Sequence, residues 1–317
     1  MERCLLIGNG LNQCLKDGIA WNNLLRNIAN DFNLKANPNI PMPLEFERLV
    51  NQYLASQQDV RDEIYLETKK KVAEKLMNVK LPIDAIHHKL KTIKVDTLMT
   101  TNYDLLLEQV FDRDFEPKIN KNTKYPEKNV GIIDGISFYH PHGCGVEAST
   151  ICLGYEHYMG IVEKARKALN TTKKQSNDKI IKRILFGEEQ FENTWMEKFY
   201  TSDISIIGFG LYQCEVDFWW LLTHRASLYY TNYHNIRKKL TNTITYYDII
   251  NDIEADEIIQ KNNLEQECKH QLLQGLHVDV CKYKLSNFGS YIEAYTKIID
   301  DIAEKDSEGN RRKLWRL

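Results

Sequence analysis

Leu5-Leu6-Ile7-Gly8-Asn9-Gly10-Leu11-Asn12 is a short apolar run that passes straight into a Gly-x-Gly turn. Glycine lets the backbone turn sharply and approach a ligand closely. A helix starting at that point offers free N–H groups and the positive end of its dipole to phosphate. Gly8, Asn9, Gly10, Leu11 and Asn12 are therefore candidate nucleotide contacts. The third glycine of a full dinucleotide fingerprint is missing, its place taken by Gln13. An ordinary strand-to-helix turn uses the same glycines, so this segment alone leaves both readings open.

Further along the chain the same rhythm returns. Apolar runs at Cys4–Ile7, Val95–Thr100, Ile136–His140, Ile204–Ile207, Ile244–Tyr247 and Val278–Tyr283 are each followed by turn residues and a helical pattern. Strands without polar alternation suit a sheet covered on both faces, and their alternation with helices predicts a parallel, Rossmann-like α/β fold. Two stretches break the rhythm, at about 21–90 and 156–200. Both read as helical, with Glu45–Leu54 and Asp59–Val79 the clearest segments of the first. They are expected to be insertions in one nucleotide-binding domain spanning 1–317. The polar, basic piece Lys164–Asp178 reads as a loop, and Arg311–Leu317 as an exposed basic tail. No internal repeat is present.

Composition narrows the classes. With 317 residues and 43% hydrophobic content the chain can bury a large core, which excludes a disordered protein. A formal net charge of −2 argues against nucleic acid as a direct ligand. The eight Lys and Arg between Lys164 and Arg183 read as a solvated face. No apolar run is long enough to span a membrane, and the opening residues lack the pattern of a signal peptide. Seven scattered cysteines, with no Cys-x-x-Cys pair, fit a reducing cytoplasm rather than a disulfide framework.

Three other segments carry chemistry. Thr100-Thr101-Asn102-Tyr103-Asp104 follows the second strand, beyond whose carboxyl end ligands of open α/β sheets bind. Thr101, Asn102 and Asp104 could bind a ribose there, or could merely cap the helix Leu105–Phe111. In His140-Pro141-His142-Gly143-Cys144 a histidine at a strand end can act as a general base near neutral pH. His140, His142 and Cys144 could instead share one face of a strand and hold a metal, although Pro141 and Gly143 oppose a regular strand. Gly208-Phe209-Gly210-Leu211 repeats the strand, Gly-x-Gly, helix logic and leads into Glu215-Val216-Asp217. The Trp219-Trp220-Leu221-Leu222 run beyond it reads as core. Asp248, at the end of a later strand, is either an adenine-side ribose contact or a surface turn carboxylate.

Taken in order, Gly8-Asn9-Gly10, Thr101-Asn102-Tyr103-Asp104, His142-Gly143 and Gly208-Phe209-Gly210-Leu211 resemble the sirtuin-like family. The closer resemblance, shared by Trp21-x-x-Leu24-Leu25, is to bacterial sirtuin-like domains that hydrolyse NAD⁺ in antiphage defence. The resemblance implies a Rossmann-like fold, NAD⁺ as substrate, and catalytic roles for His142 (general base at the ribose hydroxyls) and Asn102 (positioning water). It places Gly8, Gly10, Leu11 and Asn12 on the phosphate and nicotinamide side, Asp104 at the nicotinamide ribose, and Gly208 and Gly210 at the adenosine half. The departures are the missing Cys-x-x-Cys pairs, Thr101 where sirtuin deacylases have Gln, and the absence of their Pro-Asp-Phe-Arg segment. These imply no zinc module, no metal and no acyl-lysine groove. The expected activity is NAD⁺ glycohydrolase, regulated by homo-oligomerisation or a partner defence protein. A deacylase, an ADP-ribosyltransferase and a non-catalytic NAD or ADP-ribose sensor are the rival readings.

Overall fold

A computed structural model describes residues 1–15, 21–56, 61–78, 83–119, 124–170, 193–230, 234–253 and 257–314, together with Ile181 and Leu185. Of the proposed loop at 164–178, residues 164–170 continue the helix Tyr155–Asn170 instead and the rest lies outside the described residues, as does the end of the basic tail.

Seven strands form one mixed, mostly parallel sheet: β1 (Glu2–Ile7), β2 (Thr97–Thr100), β3 (Gly131–Ile133), β4 (Ile136–Tyr139), β5 (Ser202–Ile207), β6 (Ile244–Ile250) and β7 (Asp279–Lys284). Their order is β3-β4-β2-β1-β5-β6-β7, and only β3 runs antiparallel to its neighbour. Each apolar run singled out in the sequence carries a strand, with ends shifted by a few residues. β3 was not foreseen. It forms a hairpin with β4 through Asp134-Gly135, both at positive φ (51° and 83°), as a two-residue primed turn requires. The Asp-Gly pair between isoleucines was the signal for it.

Alternation along each strand divides the core into two faces. Cys4, Leu6, Ile204, Ile206, Ile244 and Tyr246 pack on one side, against helices α7 (Tyr155–Asn170), α8 (Trp195–Thr201) and α9 (Val216–Tyr229). Leu5, Ile7, Ile207, Tyr247 and Ile249 point the other way, toward α12 (Tyr291–Leu314), which contributes Ala294, Ile298 and Ile299. Both faces are thus covered by helices, as the unbroken apolar runs required.

Between β1 and β2 lie α1 (Gly10–Gln13), α2 (Trp21–Asp31), α3 (Met42–Ser56), α4 (Arg61–Asn78) and α5 (Ala85–Lys89), with no strand among the described residues there. Three of these helices close a separate core: Leu24 and Ile28 of α2, Phe46 and Leu49 of α3, and Ile64 and Val72 of α4. Tyr103, Ile151 and Leu153 belong to the same cluster, so this helical layer seats on the loops that follow β2 and β4. The remaining helices are α6 (Leu106–Phe111), α10 (His234–Lys239) and α11 (Glu257–Gly275). No helix among the described residues is long and apolar enough to cross a membrane.

β1 is flanked by β2 on one side and β5 on the other, although the chain reaches β5 only after leaving by way of β4. The connections therefore diverge at the carboxyl end of β1, and a crevice at such a switch point is where open α/β sheets take ligands.

Candidate functional site

The two Gly-x-Gly turns meet at this point. Gly8 N donates to Ile207 O (3.0 Å) and Gly10 N to Gly208 O (2.7 Å). A Cβ on Gly8 would lie 2.4 Å from Phe209 Cα, and one on Gly10 would lie 2.8 Å from Gly208 Cα. Gly208 adopts φ +60°, where side chains are strained. These glycines therefore let two turns nest together. α1 is a single turn, so the helix expected to present its N-terminus to phosphate is short. Leu11 is fully buried, backbone and side chain alike. The carbonyl of Gly210 accepts from Lys269 Nζ (2.9 Å).

Asn12 and Asp104, far apart in sequence, are brought into contact. Asn12 Nδ2 donates to Asp104 Oδ2 at 3.1 Å, while its Oδ1 accepts from His87 Nε2 at 3.2 Å. Burial lowers the pKa of His87, so the ring is neutral and carries its proton on Nε2. The other oxygen of Asp104 accepts from Leu106 N (3.0 Å) at the start of α6. Asp104 thus serves the first turn of α6 and also holds the side chain of Asn12, which follows the first glycine turn. Burial pushes its carboxyl up, while the backbone N–H works in the opposite direction.

Thr101 N donates to Ile7 O (3.3 Å), which stitches the loop after β2 to the end of β1. Asn102 is 6% exposed, and its Nδ2 is buried without an acceptor among the described residues. A buried amide donor left unpaired costs about 1–3 kcal/mol, so this one is suited to a ligand oxygen. The backbone of Asn102 is held from behind: its carbonyl accepts from His140 Nδ1 (2.9 Å), and His140 Nε2 lies 2.7 Å from Glu108 Oε1. Burial opposes charge on His140, but the Glu108 carboxylate outweighs it and the pKa is raised. Both ring nitrogens therefore face oxygen acceptors, an arrangement that suits a ring donating from each.

His142 lies in the loop after β4. Its carbonyl accepts from Cys152 N (2.8 Å), and Tyr103 donates its hydroxyl to Cys152 O, so two bonds tie the Asn102 loop to the His142 loop. Gly143, at φ +91°, is obligatory, since a Cβ there would lie 2.2 Å from Thr150 O. His142 Nε2 reaches Asp217 Oδ2 at 2.9 Å and Glu215 Oε2 at 3.7 Å.

The alternating His140, His142 and Cys144 do not form one face. β4 ends at Tyr139, the chain turns at Gly143, and His140 is spent on Glu108. Burial pushes the Cys144 thiol up to about 12, which removes it as a nucleophile near neutral pH. Among the described residues the one cluster with metal-ligand spacing is His142, Glu215 and Asp217.

Asp248 stands apart. Its Oδ2 is 2.7 Å from His270 Nε2 and 3.6 Å from Lys269 Nζ, so its link to the switch point runs through Lys269 and the Gly210 carbonyl. Leu221 and Leu222 are core, with Trp219 and Trp220 packed half-buried against it.

Sequence reasoning gave no role to Glu108, His87, Lys269, Glu215 or Asp217. Glu108 had a signal, since a carboxylate inside the apolar run Leu105 to Val110 needs a buried partner. Glu215 and Asp217 were visible only as acids after a glycine turn.

The fold and this arrangement define a Rossmann-like α/β protein whose polar groups gather at the carboxyl ends of β1, β2 and β4. Residues 96–216 match the model of the SIR2-like domain, from just before β2 to the first residue of α9. This segment is similar to SIR2-like domains, which use NAD. The match includes Thr101, Asn102, Asp104, His142, Gly208 and Gly210, and leaves Gly8 to Asn12 and Asp248 outside it. No curated protein matches the chain.

Proposed function

We propose that this protein is an NAD⁺ glycohydrolase, releasing nicotinamide and ADP-ribose, and that it serves as a regulated effector in bacterial antiphage defence. The observation that carries the activity is the buried, unpartnered amide of Asn102 within a SIR2-like segment, on the loop stitched to the end of β1, where the two glycine turns meet.

In NAD⁺ the nicotinamide is a cationic leaving group, so it departs neutral without an acid. The difficult species is the oxocarbenium-like ribosyl centre, by analogy with glycoside hydrolysis. On this reading Asn102 orients the attacking water, and His142 draws the proton of a ribose hydroxyl. Asp104, tied to Asn12, takes the nicotinamide ribose. Gly8, Asn9, Gly10, Leu11, Asn12 and Thr101 line the phosphate and nicotinamide side, and Gly208, Gly210 and Asp248 the adenosine half. An unrestrained NAD⁺ hydrolase harms its own cell, so a homo-oligomer or a partner protein holds it silent until triggered.

The test is chromatography of nicotinamide and ADP-ribose after incubation with NAD⁺, with and without an acyl peptide. Wild type, once released from that control, should yield both products whether or not peptide is present. Asn102→Ala and His142→Ala should each cut kcat by at least about 100-fold with a smaller change in KM. Full turnover in both variants would remove the assignment. An acyl-dependent product would replace hydrolysis by group transfer.

A further inference from the structure

The side chain of His142 makes hydrogen bonds only to a carboxylate among the described residues. Asp217 Oδ2 lies 2.9 Å from Nε2, and both side chains are 1% exposed. The ring is wedged edge-on against Tyr158 (5.0 Å) and Phe218 (5.4 Å), which limits its rotation. An ionised carboxylate can only accept, so the proton of this bond sits on Nε2. Nδ1 is then the nitrogen with a free lone pair.

We propose that Asp217 is the positioning residue for His142: it fixes the neutral ring as the Nε2–H tautomer and makes Nδ1 the base toward substrate. The proposal rests on the reading of His142 as the base. Proton transfer breaks the ribose O–H bond and forms Nδ1–H, and the resulting imidazolium is balanced by Asp217. Water takes the proton afterwards.

Three observations point the same way. Asp217 sits in the first turn of the 14-residue helix α9, where the helix dipole favours an anion. Glu215 Oε2 and Asp217 Oδ1 are both buried without a hydrogen-bond partner among the described residues, and Glu215 Oε2 lies 3.7 Å from His142 Nε2, so two carboxylates face one imidazole. That cluster would hold a surplus negative charge if both acids were ionised. Burial answers this by pushing the Glu215 carboxyl up to about 7, which favours its neutral form. The other titratable groups packed here are Tyr158, Tyr103, Cys152 and Cys214, whose ionisation burial pushes up, with Lys69 acting on Cys152. They stay neutral over the working range and leave the balance to His142, Asp217 and Glu215. Burial opposes charge on His142, but the two carboxylates prevail and its pKa is raised.

The experiment is nitrogen-15 NMR of histidine-labelled protein against pH, with the His142 signals assigned from their loss in His142→Gln. Wild type should show the neutral ring protonated at Nε2 and a pKa above 6.5. In Asp217→Asn the pKa should fall by at least about one unit, with a smaller fall in Glu215→Gln. Asp217→Glu should restore most of the shift. In turnover assays the rising limb of the pH profile should move to lower pH in Asp217→Asn by the same amount, alongside a lower kcat. A neutral proton on Nδ1, read on the wild type alone, would overturn the proposal even if the variants failed to fold. So would an unmoved titration in folded Asp217→Asn. Displacement of the His142 signals by millimolar Mg²⁺ or Zn²⁺ would also overturn it, making the cluster a cation site. If the NMR expectations hold but no nicotinamide appears, the pairing stands and the hydrolase reading is what fails.

Discussion

Replacing Glu108 by Ala removes the carboxylate from a pair whose two side chains are both fully buried, 2.7 Å apart. What remains is a histidine ring that still donates through Nδ1 to the Asn102 carbonyl but has nothing at Nε2. Removing one partner of a buried ion pair costs about 3–5 kcal/mol, because the surviving group is left desolvated and unpaired. A protein of this size shifts its Tm by about 2 °C per kcal/mol, so a fall on the order of 6–10 °C is expected. Glu108→Gln should cost less, because an amide can still donate to a neutral His140. The pH dependence has a definite sign. The pKa of His140 is raised by folding, so its contribution is complete below the unfolded value of 6.5 and fades as pH rises through the folded value. The gap between wild type and Glu108→Ala should therefore narrow as pH rises above 6.5, and differential scanning calorimetry over a pH series measures it. Because His140 also holds the Asn102 carbonyl, nicotinamide release should fall even where the variant is fully folded. A Tm within about 2 °C of wild type at every pH would refute the reasoning, since no buried charge would then have been stranded.

Two other substitutions separate packing from ligand contact. Gly8→Ala should destabilise the protein by about 1–3 kcal/mol in urea unfolding, because its Cβ would sit 2.4 Å from Phe209 Cα and 2.5 Å from Gly208 O, both backbone atoms that can yield only if the turns separate. If stability is unchanged, the glycine is there for another reason. Asp248→Asn should lose about 1–3 kcal/mol near neutral pH through its bonds to His270 and Lys269. The Asp248 pKa is depressed: burial raises it, but His270 and Lys269 prevail. Its contribution is therefore present above the unfolded value of 3.8 and disappears as pH falls through the folded value, so the deficit should shrink in acid unfolding series. A deficit in NAD⁺ affinity alone, with stability intact, would mark Asp248 as a ribose contact.

Local signals sufficed for much of this protein. Apolar runs ending in glycine marked the central strands, because a strand covered on both faces needs no polar alternation and the turn after it needs a residue without Cβ. The same period reasoning located the helices between β1 and β2, since an amphipathic face repeats within a few residues. Asn12, Asn102, Asp104 and His142 were legible as polar groups just beyond strand ends. Tertiary structure decided which of them meet. Asn12 reaches Asp104 across 92 positions, and His142 reaches Asp217 across 75. No periodicity encodes such pairs, because they exist only once β1, β2, β4 and β5 are laid side by side. The nesting of the two glycine turns, the capture of Asp248 by α11 and the burial of the Glu108–His140 pair belong to that second kind. Each depends on the packing partner and on exclusion of water, both of which arise only when the sheet is assembled.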